Sequence, residues 1–182
     1  MNNDIARVLI SEEQLQKRIR EMGAEIALDY AGKNPTMVCI LKGAVMFYTD
    51  LLRSIPVPLT MDFMAVSSYG NRTKSSGEVE IRKDLSTSIE NKHVIIVEDI
   101  VDSGFTLSYL TRMLASRGAA SIRLATLLDK PSRRAPGITL KSDYSGFVVG
   151  DEFVVGYGLD YAEQYRNLPY IGVLKPEVYQ GK

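Results

Sequence analysis

The chain has 182 residues, a length that suits one domain with at most a small appended lobe. Hydrophobic residues make up 45% and charged residues 24%, the mixture of an ordinary globular protein that can bury a sizeable core. Lys plus Arg equal Asp plus Glu at 22 each, and this zero net charge argues against broad binding to nucleic acid or to membrane surfaces, which needs a basic excess.

The cysteine and histidine content argues against disulfide or zinc chemistry. The chain has one Cys, Cys39, and one His, His93. A single Cys cannot form an internal disulfide, and this pair makes a poor zinc set, so we expect Cys39 in the core and His93 at the end of a strand. Leaving glycine aside, no apolar run exceeds five residues, and the N-terminus carries no signal-peptide core. We therefore expect no membrane span and a reducing cytoplasm.

Helix and strand signals alternate in the first part of the chain. Ser11 begins a helix, with Gln14 three residues on as in a capping box, and apolar residues follow at helical spacing as far as Tyr30. Met37–Leu41 is a continuous apolar run, typical of a strand covered on both faces, and Ala44–Arg53 returns to helical spacing.

The middle of the chain continues this alternation after a long polar segment. A strand is predicted at Thr60–Val66, and the polar segment Ser67–Asp84 that follows has a length usually found in functional or disordered loops. Further strands are predicted at Val94–Val97, Ile122–Leu128, Phe153–Tyr157 and Tyr170–Leu174, with a helix from Phe105 to about Arg117. The pattern predicts an α/β fold with a central parallel sheet flanked by helices, and with ligands at the carboxyl ends of the strands.

The stretch VIIVEDIVDSGFT, Val94–Thr106, joins a buried strand to acidic residues and a small-residue turn. Glu98 and Asp99 follow four β-branched residues directly. Burying an unpaired carboxylate is costly, so such acids indicate a cation or sugar hydroxyls. The following Asp-Ser-Gly-x-Thr turn offers backbone N–H groups, hydroxyls and a helix N-terminus, which together suit a phosphate. The alternative is a helix N-cap at Asp102 or Ser103 beside solvated acids.

This stretch resembles the signature with which type I phosphoribosyltransferases bind phosphoribosyl pyrophosphate (PRPP). The resemblance implies that Glu98 and Asp99 contact the ribose hydroxyls, directly or through Mg²⁺. It also implies that the next turn wraps the 5′-phosphate, through Asp102, Ser103, Gly104, Phe105 and Thr106. At Phe105 relatives often carry another apolar residue or Lys, and we expect its side chain to point away from the phosphate.

Two further motifs resemble the hypoxanthine-guanine branch of this family. Leu41-Lys42-Gly43 resembles its pyrophosphate loop, which implies that Lys42 and Gly43 bind pyrophosphate. By itself, Lys-Gly after a strand is also a common turn. The pair Ser68-Tyr69 in the polar segment resembles the mobile lid that closes over the reacting groups and keeps water out.

The stretch FVVGYGLDYAEQYR, beginning at Phe153, resembles the purine and second-metal segment of the same branch. The resemblance implies that Phe153 stacks on the purine and that Val154 offers backbone groups to its edge. It further implies that Asp160 binds a second Mg²⁺ and that Arg166 contacts pyrophosphate. Taken alone, Phe153 could equally be a core residue and Arg166 a solvated charge.

Lys130 matches the lysine with which this branch reads the 6-oxo group of the purine. Backbone carbonyls near Asp160 would read the purine 2-position. Without the resemblance, Lys130 would be interpreted as a surface lysine.

The resemblance runs from about Leu9 to Leu174 and is to the compact bacterial form. It implies one domain, with a core at about 35–150 and a small hood formed by 1–34 and 151–182. The implied activity is transfer of the phosphoribosyl group from PRPP to N9 of hypoxanthine or guanine, giving IMP or GMP and pyrophosphate, with Mg²⁺ as cofactor and Asp102 as general base. A dimer or tetramer is implied as well.

Alternative functions are a regulator, a phosphotransfer or dinucleotide protein, and another member of the same family. A nucleic-acid-binding regulator on the same fold needs a basic face or an added DNA-binding segment. A phosphotransfer domain or a dinucleotide enzyme is disfavoured because the chain contains neither GxxxxGK[ST] nor GxGxxG after a strand. Orotate, uracil and adenine enzymes of the same family remain the nearest alternatives.

Overall fold

The computed structural model describes residues 1–68 and 79–180. Its strands and helices are, in chain order, β1 (Ile5–Ile10), α1 (Glu12–Asp29), β2 (Thr36–Leu41), α2 (Val45–Arg53), β3 (Thr60–Ser68), β4 (Val79–Lys83), β5 (His93–Val101), α3 (Phe105–Ala115), β6 (Ser121–Asp129), β7 (Tyr144–Val148), β8 (Val154–Val155), β9 (Ile171–Leu174) and α4 (Pro176–Tyr179). Within these two ranges, no helix has the length and apolar character that crossing a bilayer requires.

Six strands form the central sheet, in the order β4-β3-β2-β5-β6-β7. Neighbouring strands are parallel except β3 and β4, which run antiparallel at one edge. Helices α1 and α2 pack on one face of this sheet, and α3 packs on the other. The arrangement confirms the predicted α/β class and brings the carboxyl ends of β2, β5 and β6 to the same end of the sheet.

Strand β2 lies in the interior of the sheet, and its continuous apolar run is explained by burial of both of its faces. Met37 and Cys39 pack toward α1 and α2, whereas Val38 and Ile40 pack toward α3. None of the four is more than 4% exposed. Cys39 is therefore a core residue, as predicted, and burial raises the pKa of its thiol to about 12.

Two predictions about the ends of elements are also confirmed. Ser11 caps α1: its Oγ accepts a hydrogen bond from the backbone N of Gln14 at 3.2 Å, and the Gln14 side chain accepts from the backbone N of Ser11 at 2.8 Å. This reciprocal pair is the expected capping box. His93 begins β5, and its Nδ1 lies 2.7 Å from Oγ of Ser121 on β6.

Strand β5 is longer than the sequence pattern predicted. The β-branched run stops at Val97, but the strand continues through Glu98 and Asp99 to Val101. Its register with β6 also continues, and Val101 lies opposite Asp129. Pairing with a neighbouring strand therefore outweighs the low strand preference of the acidic residues.

Other differences arise where the local sequence is weakly patterned. Strands β1, β4 and β7 were not predicted, and β4 lies inside the polar segment Ser67–Asp84, where Val79 and Ile81 alternate with charged residues at the sheet edge. Strand β8 is shorter than the predicted Phe153–Tyr157 because Gly156 adopts a φ of +99° and turns the chain.

The two ends of the chain meet in a second, smaller sheet, which we call the hood. Its antiparallel order is β1-β9-β8. A small apolar cluster lies on it, formed by Val155, Tyr165, Leu168 and Leu174. Helix α1 lies within the first range expected for the hood, but it packs against α2 and β7 instead. The loop between β8 and β9 of the hood reaches the carboxyl end of β2 and contributes to the site described below.

Asp62 on β3 is a buried carboxylate that fixes the loop after β4. Its side chain is 3% exposed. Oδ1 accepts from the backbone N of Phe63 at 2.8 Å, and Oδ2 accepts from the backbone N of Ser86 at 2.8 Å and of Thr87 at 3.4 Å. Burial alone would raise the pKa of Asp62, but these backbone donors outweigh it and hold the pKa below its usual value.

Replacing Asp62 with Asn should lower the free energy of unfolding by about 1.5–3 kcal/mol, the usual contribution of hydrogen bonds to a charged group. The amide has one acceptor oxygen instead of two, so one set of backbone donors loses its partner. Urea unfolding measures the change. Because the folded pKa lies below the unfolded value of about 3.9, the carboxylate stabilises the fold fully above that pH and less as pH falls through the folded pKa. The difference between variant and parent should therefore shrink below about pH 4.

The matched control is Asp84→Asn, which removes an exposed carboxylate. Asp84 is 47% exposed and accepts two hydrogen bonds of 2.7 Å from Arg117. An exposed pair of this kind contributes about 0–1 kcal/mol. Equal losses of stability in the two variants would contradict the anchoring role of Asp62.

Candidate functional site

The carboxyl end of β5 carries two neighbouring carboxylates that are only partly exposed. The backbone N of Asp99 donates to Oε1 of Glu98 at 3.2 Å. Burial, followed by the charge of Asp99, raises the pKa of Glu98 well above its usual value. Burial also raises the pKa of Asp99, although the hydrogen bond from Glu98 and the charge of Arg166 oppose that shift. Two neighbouring, partly buried carboxyl groups with raised pKa values are suited to bind a cation or sugar hydroxyls, as the sequence predicted.

The turn after β5 leaves the N-terminus of α3 open. The N-cap is Gly104, with a φ of +82°, and Oγ of Ser103 accepts a long hydrogen bond of 3.4 Å from the backbone N of Phe105, the first residue of the helix. The N-cap position is therefore Gly104, although the hydroxyl of Ser103 takes the first N–H group, as the alternative expected in part, and the next N–H groups of α3 point toward an anion site. A Cβ at Gly104 would lie 2.8 Å from Cγ2 of Ile138, so the turn accepts only glycine here.

A cavity of about 200 Å³ lies at this turn. Its lining includes Glu98, Asp102, Ser103, Gly104 and Thr106. Five of the residues assigned by resemblance to the ribose and the 5′-phosphate thus share one concave surface. The side chain of Phe105 lies outside this lining and is 42% exposed.

Gly43 lies in the closest approach of three segments of the chain. A Cβ at Gly43 would lie 1.7 Å from Oδ2 of Asp99, and a Cβ at Gly158 would lie 2.0 Å from the carbonyl oxygen of Gly43. The loops after β2 and β8 therefore meet backbone to backbone at Gly43 and Gly158, and the carboxylate of Asp99, at the end of β5, fills the space beside Gly43. The peptide between Leu41 and Lys42, at the start of this contact, is cis.

Four charged side chains surround this contact. Nη2 of Arg166 lies 2.8 Å from Oδ1 of Asp160 and 3.3 Å from Oε1 of Glu163. Nζ of Lys42 lies 3.1 Å from Oε2 of Glu163. Hydrogen bonds from Lys42 and Arg166 lower the pKa of Glu163. Lys42, Asp160 and Arg166 were predicted site residues, whereas Glu163 was not, because its local sequence gives no sign of a contact with Lys42.

Arg166 also holds the loop that approaches Gly43. Its Nη1 donates to the carbonyl oxygen of Gly158 at 2.7 Å, and its Nε is buried without a hydrogen-bond partner among the described residues. The side chain is 24% exposed. Arg166 is therefore half-buried and oriented, which contradicts the alternative of a freely solvated charge.

A buried hydrogen bond joins the same loop to α2. The hydroxyl of Tyr157 donates to Oδ2 of Asp50, which also accepts from Nε2 of Gln16 at 2.7 Å. Burial, with the hydrogen bond to Asp50, raises the pKa of Tyr157 above its usual value. Sequence reasoning missed Tyr157 and Asp50, because a tyrosine between two glycines and an aspartate within a helix are unremarkable patterns.

The third group of predicted residues lies between the central sheet and the hood. Nζ of Lys130 donates to the carbonyl oxygen of Glu152 at 2.6 Å, beside Phe153. The ring of Phe153 is 37% exposed and stacks on Tyr179, with centroids 4.7 Å apart and planes at 22°. A second ring, Tyr161, meets it edge-on at 5.6 Å. Phe153 is thus a supported and partly exposed aromatic surface, not a plain core residue.

Val154, next to this ring, lies on an edge strand of the hood. It pairs with Val173 of β9 on one side only, because β8 is the last strand in the order of that sheet. Its side chain is 7% exposed, so the backbone is what it can offer to a ligand.

Ser68 and Tyr69 are the two residues expected in the lid. Ser68 is the last residue of β3. Tyr69 lies outside the described residues. The lid assignment therefore stays a prediction.

The carboxylates suit magnesium that is shared with a phosphorylated substrate. Within residues 1–68 and 79–180, no group of three or more His, Cys, Asp and Glu side chains is arranged to hold a metal alone. Mg²⁺ usually takes one or two carboxylates and completes its shell with water and substrate phosphates. The pair Glu98 and Asp99, and Asp160 across the site, fit that mode of binding.

Comparisons with known proteins identify the family of this chain. The family model for the phosphoribosyl transferase domain matches residues 10–162. The hypoxanthine-guanine phosphoribosyltransferase of Bacillus subtilis is 58% identical, over 99% of this chain and 99% of its own length. A crystal structure of a hypoxanthine phosphoribosyltransferase from Staphylococcus aureus has a TM-score of 0.94 and 54% identity, covering 98% of this chain and 96% of that one.

A longer relative shares the same region. The bifunctional protein TilS/HprT of Listeria innocua is 61% identical over 98% of this chain, and the chain spans only 27% of that protein. The family model and the matches over nearly the whole chain show that this chain belongs to the hypoxanthine-guanine phosphoribosyltransferase family.

Proposed function

We propose that this protein transfers the 5-phosphoribosyl group of PRPP to N9 of hypoxanthine or guanine, producing IMP or GMP and pyrophosphate. The observation that carries the proposal is the meeting of Gly43, Asp99, Gly158 and Arg166 beside the turn that follows β5. One side of that meeting suits a highly charged diphosphate leaving group, and the other suits a ribose 5-phosphate. The membership of the family supports the same assignment.

The ribose is fixed at its two ends. Glu98 and Asp99 face its hydroxyls, and the turn from Asp102 to Thr106 receives the 5′-phosphate on backbone N–H groups. Holding both ends converts the encounter with the purine into a nearly unimolecular step. The same carboxylates lie close to the anomeric centre, where positive charge develops as the bond to pyrophosphate breaks.

The departing pyrophosphate needs its charge neutralised. Lys42 and Arg166 supply two cationic groups, and Gly43 lets the backbone come close. Magnesium bound by Asp160 and by Glu98 and Asp99 would add positive charge at the phosphate oxygens.

The purine is held and deprotonated from the hood side. Phe153 supports its plane, Val154 offers backbone groups to its edge, and Lys130 donates to the 6-oxo group. A donor at that position leaves the amino group of adenine mispaired, at a cost of about 1–3 kcal/mol. Asp102 accepts the proton near N7, a role that typically contributes about 10²–10⁴-fold to the rate.

The wider setting follows the family. We propose a dimer or tetramer without nucleic-acid partners, in a reducing compartment such as the cytoplasm. The buried, unpaired Cys39 is compatible with that compartment.

A substrate panel tests the proposal as a whole. With PRPP and Mg²⁺, we expect nucleotide formation from hypoxanthine and guanine, and at least about tenfold lower kcat/KM with adenine, because Lys130 disfavours an amino group. Absorbance changes follow the reaction for each base, with xanthine and uracil included. Turnover of uracil or adenine alone would redirect the assignment within the family, and turnover of no base would favour a regulator.

Asp102→Asn tests the general base. We expect kcat to fall by about 10²–10⁴-fold while the KM for PRPP changes little, because the amide keeps the shape of the turn but cannot take a proton. Asp84→Asn is the control, since it removes another exposed carboxylate far from this turn in the chain. A large rise in the KM for PRPP with kcat intact would assign Asp102 to binding instead.

Asp160→Asn tests the second metal position. We expect a higher KM for PRPP and a higher Mg²⁺ concentration for half-maximal rate, because a carboxylate ligand is lost. Asp151→Asn is matched to it, because Asp151 also forms an ion pair with an arginine, Arg133, but on an exposed surface. If the Mg²⁺ titrations of Asp160→Asn and the parent coincide, Asp160 is not a metal ligand.

A further inference from the structure

Glu163 bridges the two cationic side chains that the proposed function assigns to pyrophosphate. Its Oε2 lies 3.1 Å from Nζ of Lys42, and its Oε1 lies 3.3 Å from Nη2 of Arg166. Lys42 follows β2 on the central sheet, whereas Glu163 and Arg166 belong to the loop between β8 and β9. One carboxylate therefore joins the two sides of the subsite.

The backbone presents Glu163 in a defined way. Ala162 and Glu163 have φ angles of +51° and +62°, and they form the tip of a tight turn between Tyr161 and Gln164. The backbone N of Glu163 donates to Oδ2 of Asp160 at 2.9 Å, which ties the turn to the neighbouring carboxylate. Left-handed φ angles are uncommon for residues other than glycine, so this turn is held by its surroundings and is not a relaxed loop tip.

A single carboxylate can contact both cations only because the ammonium and the guanidinium lie close together. One phosphate group has oxygens with a similar spacing and carries more charge, so it could contact the same two groups. Glu163 and one phosphate of the leaving group are thus alternative occupants of the same pair of donors. Asp160 contacts the same Nη2 of Arg166 more closely, at 2.8 Å, so the guanidinium keeps a carboxylate partner when Glu163 leaves it.

We propose that Glu163 is an intramolecular competitor of pyrophosphate: it occupies Lys42 and Arg166 in the free protein, must leave them when PRPP binds, and returns as pyrophosphate is released. This inference rests on the proposed function of the subsite. It assigns Glu163 neither to the metal nor to the chemistry. Its role is to keep the two cations positioned while limiting how tightly they hold the product.

The size of the effect follows from the exposure of the ion pairs. Lys42 is 70% exposed and Glu163 is 65% exposed, so water and salt screen the contact. Exposed pairs of this kind change equilibrium constants by less than about fivefold each. Loss of the competing carboxylate should therefore tighten pyrophosphate binding by about two- to tenfold, and the gain should shrink as salt is added.

The test is a calorimetric titration of the whole protein with pyrophosphate in the presence of Mg²⁺. It is carried out on the parent and on Glu163→Gln. The amide has the shape of the native side chain but no charge, and the backbone N–H to Asp160 is unaffected. We expect a Kd for pyrophosphate lower by about two- to tenfold in the variant, and a lower product-inhibition constant in the transferase assay. Glu163→Asp keeps the charge but cannot span both cations, so its Kd should lie between the other two.

Glu13→Gln is the control for loss of one negative charge, because Glu13 is exposed in the first turn of α1. Its Kd should equal that of the parent. A Kd for Glu163→Gln that is unchanged or weaker than the parent overturns the inference. If the folded parent itself takes up no pyrophosphate with Mg²⁺, the proposed function of the subsite fails instead, so the two failures are distinguishable.

Discussion

The site depends on a close approach of backbones that leaves no room for a side chain. Gly43 lies against the carboxylate of Asp99, and its carbonyl lies against Gly158. A Cβ at Gly158 would overlap the backbone carbonyl of Gly43, and a Cβ at Gly43 would displace the carboxylate of Asp99 from its position. Because three separate segments meet there, the charged groups around them are positioned by this one contact.

Although the net charge of the chain is zero, partly buried acidic groups and basic groups are held at separate positions around this contact. The partly buried carboxylates of Glu98 and Asp99 lie near the end of β5, and the cations of Lys42 and Arg166 lie on the two loops that meet there. Each group is only partly compensated by the protein: burial raises the pKa values of both carboxylates, and an exposed acid, Glu163, bridges the cations. Such an arrangement suits a substrate that brings both phosphates and a metal.

The two sheets contribute different parts of the chemistry. The central sheet supplies the strand ends, whose loops suit the ribose and the phosphates, and the hood supplies the aromatic surface of Phe153 and Tyr179. Lys130 connects the two sheets, because it directly follows β6 and its Nζ donates to the carbonyl oxygen of Glu152, shortly before β8. The hydrogen bond from Tyr157 to Asp50 fixes the loop of the hood against α2.

The sequence by itself determined the features that depend on residues close together in the chain. The capping box at Ser11, the buried strand around Cys39 and the open turn at Gly104 all depend on groups within a few residues, and each was predictable. Only the tertiary structure decided which distant residues meet. Glu163 and Lys42 are 121 residues apart, and Tyr157 and Asp50 are 107 apart, so no local pattern encodes their contacts. Those contacts exist because the loops of the hood pack against the loop after β2 and against α2.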